Sequence, residues 1–287
     1  MKLIRLGQKG QERLAVIDIE GNYRNQSADY SDLSNEFLAI LYQLESLDLE
    51  AYPVIDDFPR IGPCVADVGK FICEVLNYSD YTAESKMLSP KEPILIFKAR
   101  SAICGPNDDI IIPPGSSKTD WEAELGVVLG EEAKFASEAD AIDHVAGYCV
   151  VNELLGRSYQ LKCGGQWVKE KSSVTFGSIG PWLITKDELL NPGDLSIWLD
   201  ADGHRFQDGS TQIMIFGVPN LISYISHFMS LQSGDVISIR RPPGVGMGQD
   251  PEVYLRPGQT TQFEVDGLGE QKQKTVISIQ SSANALN

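Results

Sequence analysis

TDWEAELGVV, residues 119–128, alternates with a period of two. In an extended chain residues i and i+2 share a face. Trp121, Ala123 and Leu125 therefore fall on one side of a strand, and Glu122 and Glu124 on the other. Two readings fit. The carboxylates can line a solvated outer face, since Glu is seldom buried without a partner. They can also hold a metal ion: positions two apart on a strand are separated by about 7 Å, and Glu side chains can converge on one ion at about 2.0–2.6 Å. Buried together with no cation, two such carboxylates repel until one takes a proton.

Working outward, short apolar segments broken by Gly and Pro dominate from residue 119 onward, and one helical pattern interrupts them. In VPNLISYISHFMSLQSGD, Leu221, Ile222, Ile225, Phe228 and Met229 recur on one helical face, with Pro219 near the start where proline is tolerated. Upstream, EPILIFKA reads as a strand followed by the turn-rich CGPNDDIIIPPGSSKTD. The first 65 residues read as a small module. KLIRLG and RLAVIDIEG are strands, and SNEFLAILYQLESLDLEAY is a helix with Leu38, Ile40, Leu41, Leu44 and Leu47 on one face. The expected organisation is an N-terminal domain at 1–65 and a main body at 66–287. The fold class is α+β and β-rich, with a body that closes on itself.

A third carboxylate follows an apolar strand in GYCVVNELLGRSYQ, where Asn152 and Glu153 precede Arg157 and Gln160. GGQWVKEKSS then places Lys169 and Lys171 in a glycine-led loop. A lysine near such a cluster can neutralise an oxyanion or balance the acids; the local sequence by itself favours an exposed loop lysine.

The formal net charge of −16 argues against nucleic acid or an anionic membrane as partner. No stretch reaches the ~18 apolar residues of a membrane helix, and the charged N-terminus does not read as a signal peptide, which leads to a cytoplasmic expectation. The five cysteines lack CxxC spacing and suit a reducing compartment. Cys73 and Cys149 read as core; Cys163, beside GGQ, remains open as a reactive thiol. His144, His204 and His227 sit outside every segment that carries chemistry and are assigned to structure.

The segments DWEAELGVVLG, VAGYCVVNE, GGQWVKEKS, IGPW, MIFGVP, SGDVI and PPGVGMG stand in the order seen in the fumarylacetoacetate hydrolase family. The chain resembles that family from about residue 61 to 270. RIGPC and SAICGPNDDI are similar to its branch of ureidoglycolate-lyase-like proteins and 2,4-diketo-3-deoxy-sugar-acid hydrolases. The resemblance implies a mixed β-roll, often a homodimer, and a divalent cation, Mg²⁺ first with Mn²⁺ or Ca²⁺ as alternatives. Glu122, Glu124 and Glu153 match the metal ligands. Lys171, Arg157 and Gln160 fit the pattern of residues that hold substrate or oxyanion, and Gly244 falls in the substrate loop. The implied substrate is a small carboxylate with a 1,3-dicarbonyl or 2-oxo-acid group.

The departures cluster at the site. The third ligand, usually Asp, is Glu153. Tyr81 stands where hydrolysing members carry a His, although Glu84, the partner acid, is kept. Arg240 and Arg241 replace the Gly and Thr before PPGVG, and Ser173 and Val174 replace a Phe–Asp pair after Lys171. These changes point to an enzyme with altered chemistry through a metal-stabilised enolate. Tyr81 would act as general acid, and Arg241 would clamp a carboxylate or, alternatively, fill the place of the ion. An ordinary hydrolase and an inactive binding partner are the competing expectations.

Overall fold

The computed structural model describes residues 1–43, 48–56, 59–75, 77, 90–239 and 242–278. Most of its strands lie in two mixed sheets. In the larger one, of ten strands, the spatial order is Tyr23–Asn25, Arg13–Ile17, Lys2–Leu6, Gly177–Thr185, Val145–Glu153, Ala123–Leu129, Val236–Ile239, Phe71–Val75 and Ile94–Lys98. Ile103–Cys104 runs parallel beside Gly177–Thr185 as the tenth. A five-stranded sheet carries His204–Ser210, Ser196–Ala201, Thr260–Val265, Gly269–Ile277 and Ile110–Ile112 in that order. This is the β-rich, mixed-sheet architecture expected from the sequence.

The alternation at 121–129 sorts the core. Trp121, Ala123, Leu125, Val127 and Leu129 face an apolar layer shared with Leu199, Phe263 and Val265 of the smaller sheet and with Leu221, Ile222 and Ile225 of the helix Val218–Phe228. On the opposite face Val128 packs with Val151, Cys149 and Phe71, and with Leu3, Leu14, Phe37 and Leu38 from the first 65 residues. The N-terminal strands join the larger sheet directly, with Leu3 opposite Leu183. The helix there is shorter than its apolar spacing suggests. It spans Asn35–Ile40, capped by Ser34, whose Oγ accepts from the Phe37 N–H, and narrows to a 3₁₀ turn at Leu41–Gln43. A helix this short takes its stability from burying Phe37 and Leu38. Leu44 and Leu47 lie outside the described residues.

One expectation is corrected in detail. The strand of 119–128 is broken in two. Thr119–Asp120 pairs with Leu155–Gly156, whereas Ala123–Leu129 pairs with Val145–Glu153 and Val236–Ile239. Trp121 and Glu122 form the junction, where the chain changes partners. Two side-chain amides take over the hydrogen bonds the sheets no longer supply: Asn152 Oδ1 accepts from the Glu122 N–H at 3.3 Å, and Gln207 Oε1 from the Ala123 N–H at 2.9 Å. The side-chain alternation survives the break.

A buried acidic site

Glu122, Glu124 and Glu153 are each 0% exposed, so the solvated-face reading of the opening stretch is excluded. Strand pairing brings them together. Val151 lies opposite Glu124, and the Glu153 N–H donates to the Glu122 carbonyl at 2.8 Å, which puts Glu153 across from Glu122 on the same face. One carboxylate oxygen from each of the three lies within 4.8 Å of the other two. Ser238, on the next strand, donates its hydroxyl to Glu124 Oε2, while Glu124 Oε1 has no hydrogen-bond donor. Burial, followed by the charges of Glu153 and Glu122, pushes the Glu124 carboxyl well above the usual carboxylate range.

Cations surround the acids. Helix Trp167–Lys171 ends on Lys171, a buried residue with Nζ 2.7 Å from Glu153 Oε1 and 3.5 Å from Glu122 Oε2. Helix Arg157–Lys162 begins on Arg157, whose Nε donates to Asp120 Oδ2 at 3.0 Å and whose Nη2 donates to Glu122 Oε1 at 3.2 Å. Lys98 reaches in from Ile94–Lys98, past a Gly177 whose missing Cβ would stand 2.9 Å from its stem. Its Nζ donates to the carbonyls of Lys171 at 2.5 Å, Phe176 at 2.8 Å and Leu154 at 3.3 Å, and lies 3.8 Å from Glu153. Burial lowers its pKa. Glu170, also buried, is pushed up to about 7 by burial, against the pull of Lys171 and Arg157.

Among the described residues the site thus holds five buried carboxylates, Asp120, Glu122, Glu124, Glu153 and Glu170, and three buried cations, Lys98, Arg157 and Lys171. With all eight groups charged, the excess is two negative charges. A divalent cation would remove it, and an orphaned Glu124 oxygen aimed among three carboxylates is the donor such an ion requires. The donor set is all oxygen, which suits Mg²⁺, Mn²⁺ or Ca²⁺ better than zinc.

Other expected residues fall around this centre. Gln160 is half-buried on the helix that begins with Arg157. Gly244 adopts φ +115°, and a Cβ there would meet the Phe206 carbonyl at 1.9 Å; its own carbonyl accepts from Trp121 Nε1 at 3.1 Å. Tyr81, Glu84, Arg240 and Arg241 lie outside the described residues. No histidine enters the site: His227 Nδ1 bonds the Ser223 carbonyl, His204 stacks edge-on against Phe206, and His144 lies before the strand Val145–Glu153 at the end away from Glu153. Cys163 is exposed. Cys73 is buried as expected, yet its thiol is set against Glu153, so it borders the site as well as the core.

Sequence reading missed Asp120, Lys98, Glu170, Ser238 and Gln207, and named Asn152 without a role. Lys98 carried a signal, a lone lysine closing the apolar run ILIFK. Glu170 carried none, because KEK in a glycine-led loop is what a solvated turn also looks like.

A mixed β-roll that buries three converging carboxylates beside a lysine defines a class of fold built around a candidate metal centre. Comparison with known proteins makes the assignment specific. The profile for the fumarylacetoacetate (FAA) hydrolase C-terminal region matches residues 70–276, and the chain belongs to the fumarylacetoacetate hydrolase family. A Burkholderia ambifaria protein that bears the name "Putative hydrolase" is 51% identical over 278 residues, covering 96% of this chain and 99% of its own. Among solved structures, a fumarylacetoacetate hydrolase from Exiguobacterium antarcticum is 28% identical with a TM-score of 0.86, covering 97% of this chain and all of its own. A 2-hydroxyhepta-2,4-diene-1,7-dioate isomerase from Mycobacterium marinum is 26% identical with a TM-score of 0.75, covering 98% and 100%.

Proposed function

We propose that this chain is a metal-dependent enzyme that acts on a 2-oxo acid or 1,3-dicarbonyl compound through a stabilised enolate. The observation that carries the reading is the buried convergence of Glu122, Glu124 and Glu153 with the Lys171 ammonium 2.7 Å from Glu153. Glu122, Glu124 and Glu153 would hold a divalent ion, Mg²⁺ by preference, which when bound would supply Lewis acidity toward a carbonyl oxygen that gains charge. Lys171 donates to the same developing oxyanion, a role supported by its burial, because such a donor is strong away from water. Gln160 and Arg241 bind the substrate carboxylate, and Gly244 keeps the loop that follows Arg241 close to the site. Arg157 holds Glu122 and borders the substrate. Tyr81, with a reference pKa near 10, serves as a proton donor better than as a base, and Glu84 assists it. Decarboxylation, carbon–carbon cleavage, isomerisation and cyclisation all pass through such an enolate. Structural relatives with hydrolase and isomerase names support a scaffold that hosts more than one outcome.

Ordinary hydrolysis of an acylpyruvate is the second reading, favoured by the hydrolase name of the 51%-identical relative. One experiment separates the readings. Stripped protein is incubated in D₂O with an acylpyruvate or another 2-oxo acid, with and without Mg²⁺ or Mn²⁺, and deuterium at the carbon next to the carbonyl is followed by NMR. Metal-dependent exchange with slow hydrolysis is the expected result. Rapid hydrolysis unaffected by Tyr81→Phe favours the second reading, and neither exchange nor turnover on any such compound refutes both.

A further inference from the structure

We infer that Asp120 is a positioning residue that fixes the Glu122 carboxylate for the ion by way of the Arg157 guanidinium. The inference rests on the metal reading above. Asp120 stands outside the converging triad, yet it is wholly buried and both of its oxygens are used twice. Oδ1 accepts from the backbone N–H of Trp121 at 3.0 Å and of Gly246 at 2.7 Å. Oδ2 accepts from Arg157 Nε at 3.0 Å and from the Met247 N–H at 3.2 Å. A carboxylate is acceptor-only, so four donors from three chain segments leave it one orientation. It sits on Thr119–Asp120, a strand separate from the one that carries Glu124.

Arg157 turns that fixed orientation into a fixed Glu122. Its guanidinium is planar and its donors form a rigid fork. With Nε held by Asp120, Nη2 can reach Glu122 Oε1 at 3.2 Å along one direction only. Glu122 needs such a holder more than its neighbours do. It lies at the junction between two strands, and a side-chain amide, Asn152, supplies the partner of its N–H. Asp120 therefore acts on the ion without touching it. Groups that orient metal ligands in this way typically cost about 10–100-fold in metal affinity when removed.

Charge and position make opposite forecasts, which gives the test. If Arg157 matters only as a cation, its removal leaves Glu122 more negative, so Mn²⁺ should bind more tightly to Arg157→Met and unchanged to Arg157→Lys. Asp120→Asn should then weaken binding, and the double variant should return to wild type. If position governs, Arg157→Lys, Arg157→Met and Asp120→Asn each weaken Mn²⁺ binding by about 10–100-fold. The double variant then loses no more than the weaker-binding single, because both changes break one chain of contacts. Mn²⁺ binding is read by calorimetry on variants first shown to be folded by circular dichroism. Arg157→Lys keeps charge and stem and carries the test if a more drastic variant fails to fold. Wild-type protein that binds Mn²⁺ alongside an unchanged Arg157→Lys overturns the positioning role alone. Wild-type protein that binds no Mn²⁺ overturns the metal reading as well.

Discussion

Lys171→Met removes the cation that touches two of the three converging acids and nearly keeps the length of the side chain. Lys171 Nζ lies 2.7 Å from Glu153 and 3.5 Å from Glu122. At an effective dielectric of ~20 the contacts are worth roughly 5–6 kcal/mol each of Coulomb attraction, before the cost of desolvating the ions. What mutation measures is smaller: breaking a buried pair from one side costs about 3–5 kcal/mol. All three side chains are at most 1% exposed, so solvent screens little of this. Lys98, 3.8 Å from Glu153, offsets part of the loss and favours the lower end. For a chain of this size 1 kcal/mol moves Tm by about 2–4 °C, so metal-free Lys171→Met should melt roughly 6–12 °C below wild type. Saturating Mn²⁺ restores the missing positive charge. The gap between variant and wild type should therefore shrink by several degrees when both are measured by calorimetric scanning with the ion. Turnover, by contrast, should not recover, since loss of an oxyanion donor costs about 10²–10³-fold. A metal-free variant that melts within 2 °C of wild type, or a gap that Mn²⁺ leaves unchanged, would show that Lys171 does not balance these acids.

Glu124→Gln should abolish stoichiometric Mn²⁺ binding, measured by calorimetry, while the Ser238 hydroxyl keeps the amide in place. Glu170 has its carboxyl raised to about 7 from 4.5, so in the metal-free protein its contribution is fully present below about pH 4.5 and is lost as pH rises through 7. The loss is about 3 kcal/mol, and Glu170→Gln should flatten that part of the stability–pH curve in urea titrations; an unchanged slope would refute the assignment. Gln207→Leu strands the Ala123 N–H and should cost about 1–3 kcal/mol by chemical denaturation, with a weaker hold on Mn²⁺. Gly244→Ala places a Cβ 1.9 Å from the Phe206 carbonyl at a left-handed φ, and a drop in Tm of several degrees should accompany weakened binding of a 2-oxo acid.

Much of this chain was legible in one dimension. Period-two alternation at 121–129 set which residues face which layer, and that rule held across a strand break that the sequence does not announce. The spacing of Leu221, Ile222 and Ile225 marked the helix Val218–Phe228 for the same reason: backbone geometry repeats locally, so the apolar pattern records it. Ordered motifs over most of the chain carried the family and, through it, Glu122, Glu124 and Glu153 as a set. Burial of those acids was not in the sequence, because E-x-E reads alike on a wet face and a dry one. Strand pairing decided it by laying Glu153 across from Glu122 and closing the face with two short helices. Tertiary contact alone brought in Lys98, whose ammonium meets carbonyls 56 to 78 residues away, and Asp120, which joins the chain at 157 and at 246. A hydrogen bond between distant segments leaves no periodic trace. It requires only one donor and one acceptor, and any lysine or aspartate in the sequence could have supplied either.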